Sequence, residues 1–198
     1  MSAVTLQPPI SEGQPPRKRF TRTEVEEMLQ AGLFAGQRFE LIAGDLIDKS
    51  GQNPPHAYTI RVLLIWLSRI FGAERVQVQL PIEAGIADQE SSLPEPDLAV
   101  LAELKPDYRR RHPRGDELLL LIEVADTTVR YDATIKRDLY ARAGVPEYWV
   151  VDVTGRKLIV HRGLTENRFQ EVFTLSDQDN ASPESRSDLS IAVSAILP

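Results

Sequence analysis

Residues 118–124 read Leu-Leu-Leu-Leu-Ile-Glu-Val, an apolar run broken only by Glu123. A strand with one face in water alternates apolar and polar residues. A run without alternation belongs to a strand buried on both faces, in the middle of a sheet that helices cover. On that reading Glu123 sits at the end of the most buried strand in the chain. A buried carboxylate is costly unless it is paired or binds a cation.

Toward the C-terminus, the pattern predicts a helix over 132–143, stopped by Gly144 with Pro146 just beyond. A strand over 147–152 follows, rich in β-formers (Tyr148, Trp149, Val150, Val151). Thr154-Gly155 turns into a strand at 158–161, and 163–167 turns again into 169–174. Residues 176–188 are polar and poor in aromatics and read as a mobile loop, before a last strand or short helix over 189–197.

Toward the N-terminus, a strand is expected at 97–101, a loop with Ser91, Ser92, Pro94 and Pro96 before it, and another strand at 76–82. The apolar segment 56–71 reads as a helix, with Pro54-Pro55 at its start and Gly72 at its end. Residues 39–42 and 46–47 form a hairpin around Ala43-Gly44-Asp45. A first helix starts at Thr21 or Thr23, with Glu24 or Glu26 completing a capping box, and stops near Gly32. Residues 1–19, interrupted by Pro8, Pro9, Pro15 and Pro16, read as a flexible arm, leaving 20–198 as a single domain. Helices and strands interleave without an internal repeat. The expected class is α/β, with a mixed central sheet flanked by helices.

Composition narrows the chemistry. The 198 residues contain no cysteine, which excludes disulfides, thiolate metal sites and Cys nucleophiles. With only three histidines, His56, His112 and His161, a metal would be held by oxygens, which points to Mg²⁺ or Mn²⁺. No apolar run approaches a membrane span, and the polar start has no signal-peptide core, so a soluble, cytoplasmic protein is expected. The net charge of −6 argues against tight DNA binding by the whole surface and leaves room for a local basic patch. There is no nucleophile elbow and no Gly-rich phosphate loop.

A second acid, Asp97, opens an apolar strand in Pro96-Asp97-Leu98-Ala99-Val100. Two such carboxylates on neighbouring strands invite a divalent ion; singly, each could be a strand end reaching water. Lys136 lies in the next helix, sharing a face with Asp132 and Tyr140 at i, i+4 spacing, which by itself is equally the pattern of a surface ion pair. Glu40 interrupts the apolar Phe39–Ile42 strand, where an outward-facing edge position is the plainer alternative.

These residues carry a resemblance. Arg38-Phe39-Glu40-Leu41-Ile42-x-Gly44, Pro96-Asp97, Glu123-Val124, and Lys136-x-x-x-Tyr140-x-x-x-Gly144-Val145-Pro146-Glu147-Tyr148-Trp149-Val150-Val151-Asp152 resemble the Uma-two family of the PD-(D/E)XK restriction-endonuclease-like superfamily, over residues 20–175. The sequence departs from the superfamily pattern after Glu123, where Ala125 stands in place of a lysine. Lys136 matches the position from which the family supplies it. The resemblance implies a restriction-endonuclease-like fold and a homodimeric, metal-dependent endonuclease acting on DNA. Asp97 and Glu123 would ligate Mg²⁺ (or Mn²⁺) with the Val124 carbonyl. Glu40 would complete the acidic rim, directly or through water. Lys136 would orient the attacking water or stabilise transition-state charge, and Asp132 would hold Lys136 or be a solvated surface acid.

Other features divide between two readings. His56 is either near the site or an ordinary helix-start residue. Gln79, before Leu80-Pro81-Ile82, either points toward the site or ends a strand, the strand end being the favoured reading. The cations Lys105, Arg109, Arg110, Arg111 and Arg114 form either a phosphate-contacting arm or a solvated loop. Trp66 and Trp149 read as core aromatics. The same fold could also serve as a catalytically weak or inert module binding nucleic acid or protein, or hydrolyse RNA or a small phosphodiester.

Overall fold

The capping box at Thr21 forms as its spacing predicts: Thr21 Oγ1 accepts from the Glu24 N–H at 3.2 Å, and Glu24 accepts from the Thr21 N–H at 2.8 Å. It opens α1 (Arg22–Gln30). The computed structural model describes residues 17–49, 51 and 53–198. Most of the expected N-terminal arm, 1–16, lies outside the described residues. The hairpin β1 (Phe39–Ile42) and β2 (Asp45–Asp48) follows, then α2 (Pro54–Phe71), capped by the Asn53 side chain and closed at Gly72.

The central sheet has six strands: β3 (Val76–Val78), β4 (Leu98–Leu101), β5 (Leu118–Ala125), β6 (Tyr148–Asp152), β7 (Lys157–Thr165) and β8 (Arg168–Ser176), adjacent in that order. β5 and β6 pair in parallel and every other neighbouring pair is antiparallel. A parallel pair needs a crossover. This one runs through α3 (Val129–Tyr131), a π-helical turn Asp132–Lys136, and α4 (Arg137–Arg142). A small pair, β9 (Asn180–Ala181) with β10 (Ile191–Ala192), and the short α5 (Val193–Ile196) complete the chain.

The apolar run decides the architecture as expected. β5 is central, with Leu120, Ile122 and Val124 packed on one face against Ile60, Leu63 and Leu67 of α2 and Val193 and Ile196 of α5. Leu121 and Ala125 pack on the other, with Tyr140 and Val145. Alternation puts Glu123 on this second face, under the crossover. Trp149 is buried and stacks on Trp66.

Four expectations are corrected. The helix predicted over 132–143 begins at Val129 and contains a π-turn, in which the Arg137 N–H reaches the Asp132 carbonyl. The strand predicted over 76–82 ends at Val78, because Gln79 takes φ +52° and leaves extended geometry. Gly163 lies within β7, and the turn is Glu166-Asn167, both at positive φ as a tight two-residue hairpin turn requires. The polar stretch 176–188 is anchored: Ala181 is buried, and the Glu184 N–H donates to buried Glu147 at 2.7 Å. Its polarity hid that anchoring, because the partners lie far away in sequence.

Candidate active site

β4 and β5 run antiparallel with Leu98 opposite Ile122. Extending the register by one residue sets Asp97 opposite Glu123. The Val124 N–H donates to Asp97 Oδ2 at 2.8 Å, tying the two strand ends together. Both acids are almost fully buried, at 1% and 2% exposure.

The crossover brings Lys136 over this pair. Its Nζ lies 2.6 Å from Glu40 Oε1, 2.9 Å from Glu123 Oε1 and 3.8 Å from Asp132 Oδ1. The π-turn ends at Lys136, so the wide turn sets the angle from which the ammonium approaches. The Tyr148 hydroxyl donates to the Asp132 carbonyl within that turn at 3.1 Å. One turn further on, the Tyr140 hydroxyl donates to Glu123 Oε1 at 2.6 Å. Glu40 does not face outward: it is 2% exposed, and its Oε2 accepts from the Glu95 N–H at 3.1 Å. The structure thus brings Glu40, Asp97, Glu123 and Lys136 together, with Asp132 bonded to Thr128 at 2.6 Å.

Sequence reasoning missed Lys49. Its Nζ lies 3.8 Å from both Asp97 Oδ1 and Glu123 Oε2. A signal existed. Glu40 pairs with Ile47, so alternation places Glu40, Ile47 and Lys49 on one side of the hairpin. His56 lies in the site, with Nε2 3.3 Å from Asp97 Oδ2. Gln79, read as a plain strand end, reaches Asp97 Oδ1 at 3.4 Å and accepts from Arg38. Its left-handed φ ends the strand and turns the side chain back.

Electrostatics separate the two central acids. Burial works against charge on Asp97, but the His56 hydrogen bond, the Lys49 and His56 charges and the Val124 N–H outweigh it, holding the carboxyl below its usual range. For Glu123 burial dominates, with the neighbouring Asp97 and Glu40 charges adding to it; Lys136 and Lys49 oppose, and the carboxyl is pushed up to about 7. Burial alone would lower Lys136, yet the surrounding Glu123, Glu40 and Asp132 hold it above its ordinary value. His56 is raised, with the Asp97 bond and charge outweighing burial. A proton-poised carboxyl beside a fixed ammonium is an arrangement that acid–base sites use.

The donor set bears on a metal. Glu123 Oε1, Asp97 Oδ2 and both Glu40 oxygens are engaged by the contacts above. Glu123 Oε2 remains, with Asp97 Oδ1, which takes only the long 3.4 Å bond from Gln79; both are hard oxygens already facing a cation, Lys49. Among the described residues no group of three Asp, Glu, His or Cys side chains is arranged to hold a metal by itself. A strongly hydrated dication such as Mg²⁺ keeps several waters and needs only one or two carboxylates, so this pair fits it. The acids line a pocket of about 280 Å³ together with His56, Asp126, Thr128 and Tyr131.

The basic loop serves a different carboxylate. Arg111 grips buried Glu117 with both terminal nitrogens, at 2.7 and 2.8 Å, and Lys105 joins at 3.0 Å. Arg114 pairs with Asp116 and contributes its backbone N–H to Glu117. Arg109 and Arg110 are exposed.

A family model named Uma2, described as "Putative restriction endonuclease", matches residues 25–194. A crystal structure from Anabaena variabilis ATCC 29413, titled as a putative nuclease belonging to DUF820, superposes with a TM-score of 0.63 at 16% identity, covering 80% of this chain and 88% of that one. At that identity the likeness shows the fold alone, an α/β one with a mixed central sheet flanked by helices. No curated protein matches. Among the described residues, no helix is long and apolar enough to cross a membrane.

Proposed function

This chain belongs to the Uma2 family of restriction-endonuclease-like proteins, and from that premise we propose that it is a divalent-metal-dependent DNA endonuclease. The observation that supports this reading is the convergence of Asp97 and Glu123 from adjacent strands with Lys136 held 2.9 Å from Glu123. Asp97 and Glu123 would hold Mg²⁺ or Mn²⁺, with Glu40 behind them engaging Lys136. When bound, the ion supplies Lewis-acid polarisation of the phosphate and a water acidic enough to attack near neutral pH.

The remaining work falls to the chain's own groups. Lys136 is held by carboxylates on several sides, so its ammonium stays protonated and ordered. Its role is to stabilise negative charge that grows on the phosphate oxygens. Tyr140 fixes the rotamer of Glu123. Because burial raises the Glu123 carboxyl to about 7, a proton competes with the metal for it near neutral pH. His56 fixes Asp97 from the start of α2. We take the active form to be a single domain from residue 20, homodimeric so that two strands can be cut, and cytoplasmic.

A second reading has an observation of its own. The net charge is −6, and Lys105 and Arg111 of the basic loop are committed to Glu117, which favours a catalytically inert binding module on the same fold. One assay separates the two. Supercoiled plasmid and single-stranded DNA are incubated with the protein and Mn²⁺, Mg²⁺ or EDTA, beside Asp97→Ala and Lys136→Ala. The nuclease reading expects metal-dependent nicking lost in both variants. Nicking that persists in Asp97→Ala, or no cleavage of any substrate, counts against it.

A further inference from the structure

We propose that Lys49 is a resident counter-cation of the metal-binding carboxylates, one that a divalent ion has to displace. This rests on the reading of Asp97 and Glu123 as the metal ligands. The Lys49 N–H donates to the Arg38 carbonyl at 2.9 Å, which extends the β1–β2 pairing by one residue and fixes the base of the side chain. The side chain is 13% exposed, and its Nζ is equidistant, at 3.8 Å, from Asp97 Oδ1 and Glu123 Oε2. Val124, His56, Lys136 and Tyr140 engage the other two oxygens; of this pair, Glu123 Oε2 has no hydrogen bond and Asp97 Oδ1 has only a long one from Gln79, at 3.4 Å.

The two site lysines differ in how they are held. Lys136 makes short hydrogen bonds at 2.6 and 2.9 Å and is 3% exposed. Lys49 is too far from either oxygen for a hydrogen bond, so charge attraction alone holds it there. An ammonium on a flexible four-carbon stem, held without directional bonds, can move away. Without it, two buried carboxylates would face each other with no positive charge near Glu123 Oε2 and only a long amide bond on Asp97 Oδ1, which is costly. With a dication on the same two oxygens, the ammonium becomes a like charge at close range and weakens binding. Lys49 therefore stabilises the metal-free site and lowers its affinity for metal.

The test is Mn²⁺ titration calorimetry on the full chain at fixed pH and ionic strength, with thermal melts of the metal-free protein. Lys49→Met keeps the stem and removes the charge. The expectation is Mn²⁺ binding tighter by on the order of tenfold, the scale of one lost charge repulsion, a lower metal-free Tm, and a larger metal-induced rise in Tm than in the parent. Lys49→Arg, which keeps the charge, should not tighten binding. Unchanged or weaker Mn²⁺ affinity in Lys49→Met overturns the inference. If Lys49→Met does not fold without metal, Lys49→Gln carries the same expectation and the same disproof. Mn²⁺ binding that survives undiminished in Asp97→Ala, or no Mn²⁺ binding to the parent, defeats the ligand reading itself. Binding lost in Asp97→Ala with unaltered affinity in Lys49→Met defeats the Lys49 inference alone.

Discussion

The Tyr140 hydroxyl donates to Glu123 Oε1 at 2.6 Å, sharing that oxygen with Lys136 and leaving the other turned toward the pocket. A hydrogen bond to the charged form of a carboxyl favours ionisation. Tyr140→Phe should cost about 2 kcal/mol of stability, the scale for a hydrogen bond to a charged group. It should also raise the Glu123 carboxyl above its present value of about 7. Metal ligation needs the deprotonated group. The ratio of Mn²⁺ affinities at pH 8 and pH 6.5, measured by calorimetry, should therefore be larger in the variant than in the parent. Equal ratios would show that Tyr140 does not tune Glu123.

Lys136 is the common counter-ion of Glu40, Glu123 and Asp132. Removing one partner of a buried ionic cluster leaves uncompensated charge, at a cost of about 3–5 kcal/mol. Urea unfolding of metal-free Lys136→Met should show a loss of that order. Adding Glu40→Gln, which deletes one of the stranded charges, should recover part of it. Additive losses in the double variant would mean that the two residues are not coupled. Neither variant should cleave DNA.

The basic loop makes a separable prediction. Arg111 holds the Glu117 carboxyl well below the usual range through its side-chain bonds, ahead of the opposing effect of burial and the support of the Arg114 N–H and Lys105. Arg111→Ala should lower the urea midpoint. Arg109→Ala with Arg110→Ala should leave it unchanged, since both side chains lie in water. If the exposed pair touches DNA, the double variant should weaken binding and flatten its salt dependence. A DNA affinity indifferent to Arg109 and Arg110 would remove this loop from any nucleic-acid interface.

His161 sets an acid limit on stability. It is 1% exposed, stacked on Tyr148 at 5.2 Å and beside Phe169 at 5.7 Å, and burial pushes its pKa down to about 4. An unfolded histidine titrates near 6.5, so between that value and 4 the unfolded chain binds the extra proton. Stability is complete above the unfolded value and falls with pH through the window, by about 3 kcal/mol in all. His161→Phe should flatten the curve of unfolding free energy between pH 6.5 and 4. An unaltered slope would assign the acid sensitivity to other groups.

Much of this was legible because it is periodic and local. Alternation and apolar runs placed Glu123 and Asp97 on neighbouring buried strands, and the capping box at Thr21 formed as its spacing requires. Helical spacing put Asp132, Lys136 and Tyr140 on one face. It could not show the π-turn, which goes with the packing of the crossover over the sheet and with the Tyr148 hydroxyl donating to the Asp132 carbonyl. For 176–188, composition pointed to a mobile loop, and a buried glutamate at 147 anchors it.

The sequence by itself determined the α/β class, the central strand with Glu123 near its end, and Asp97 at the opening of another apolar strand, because side-chain alternation is a property of each segment. Only the tertiary structure decided which cations meet those acids. Lys136 arrives by the crossover, Lys49 from a hairpin and His56 from the start of α2, all at the same end of the sheet. Nothing local fixes such a meeting. It follows from how separate elements pack against the two faces of one sheet, and from the cost of leaving buried carboxylates there without a positive charge.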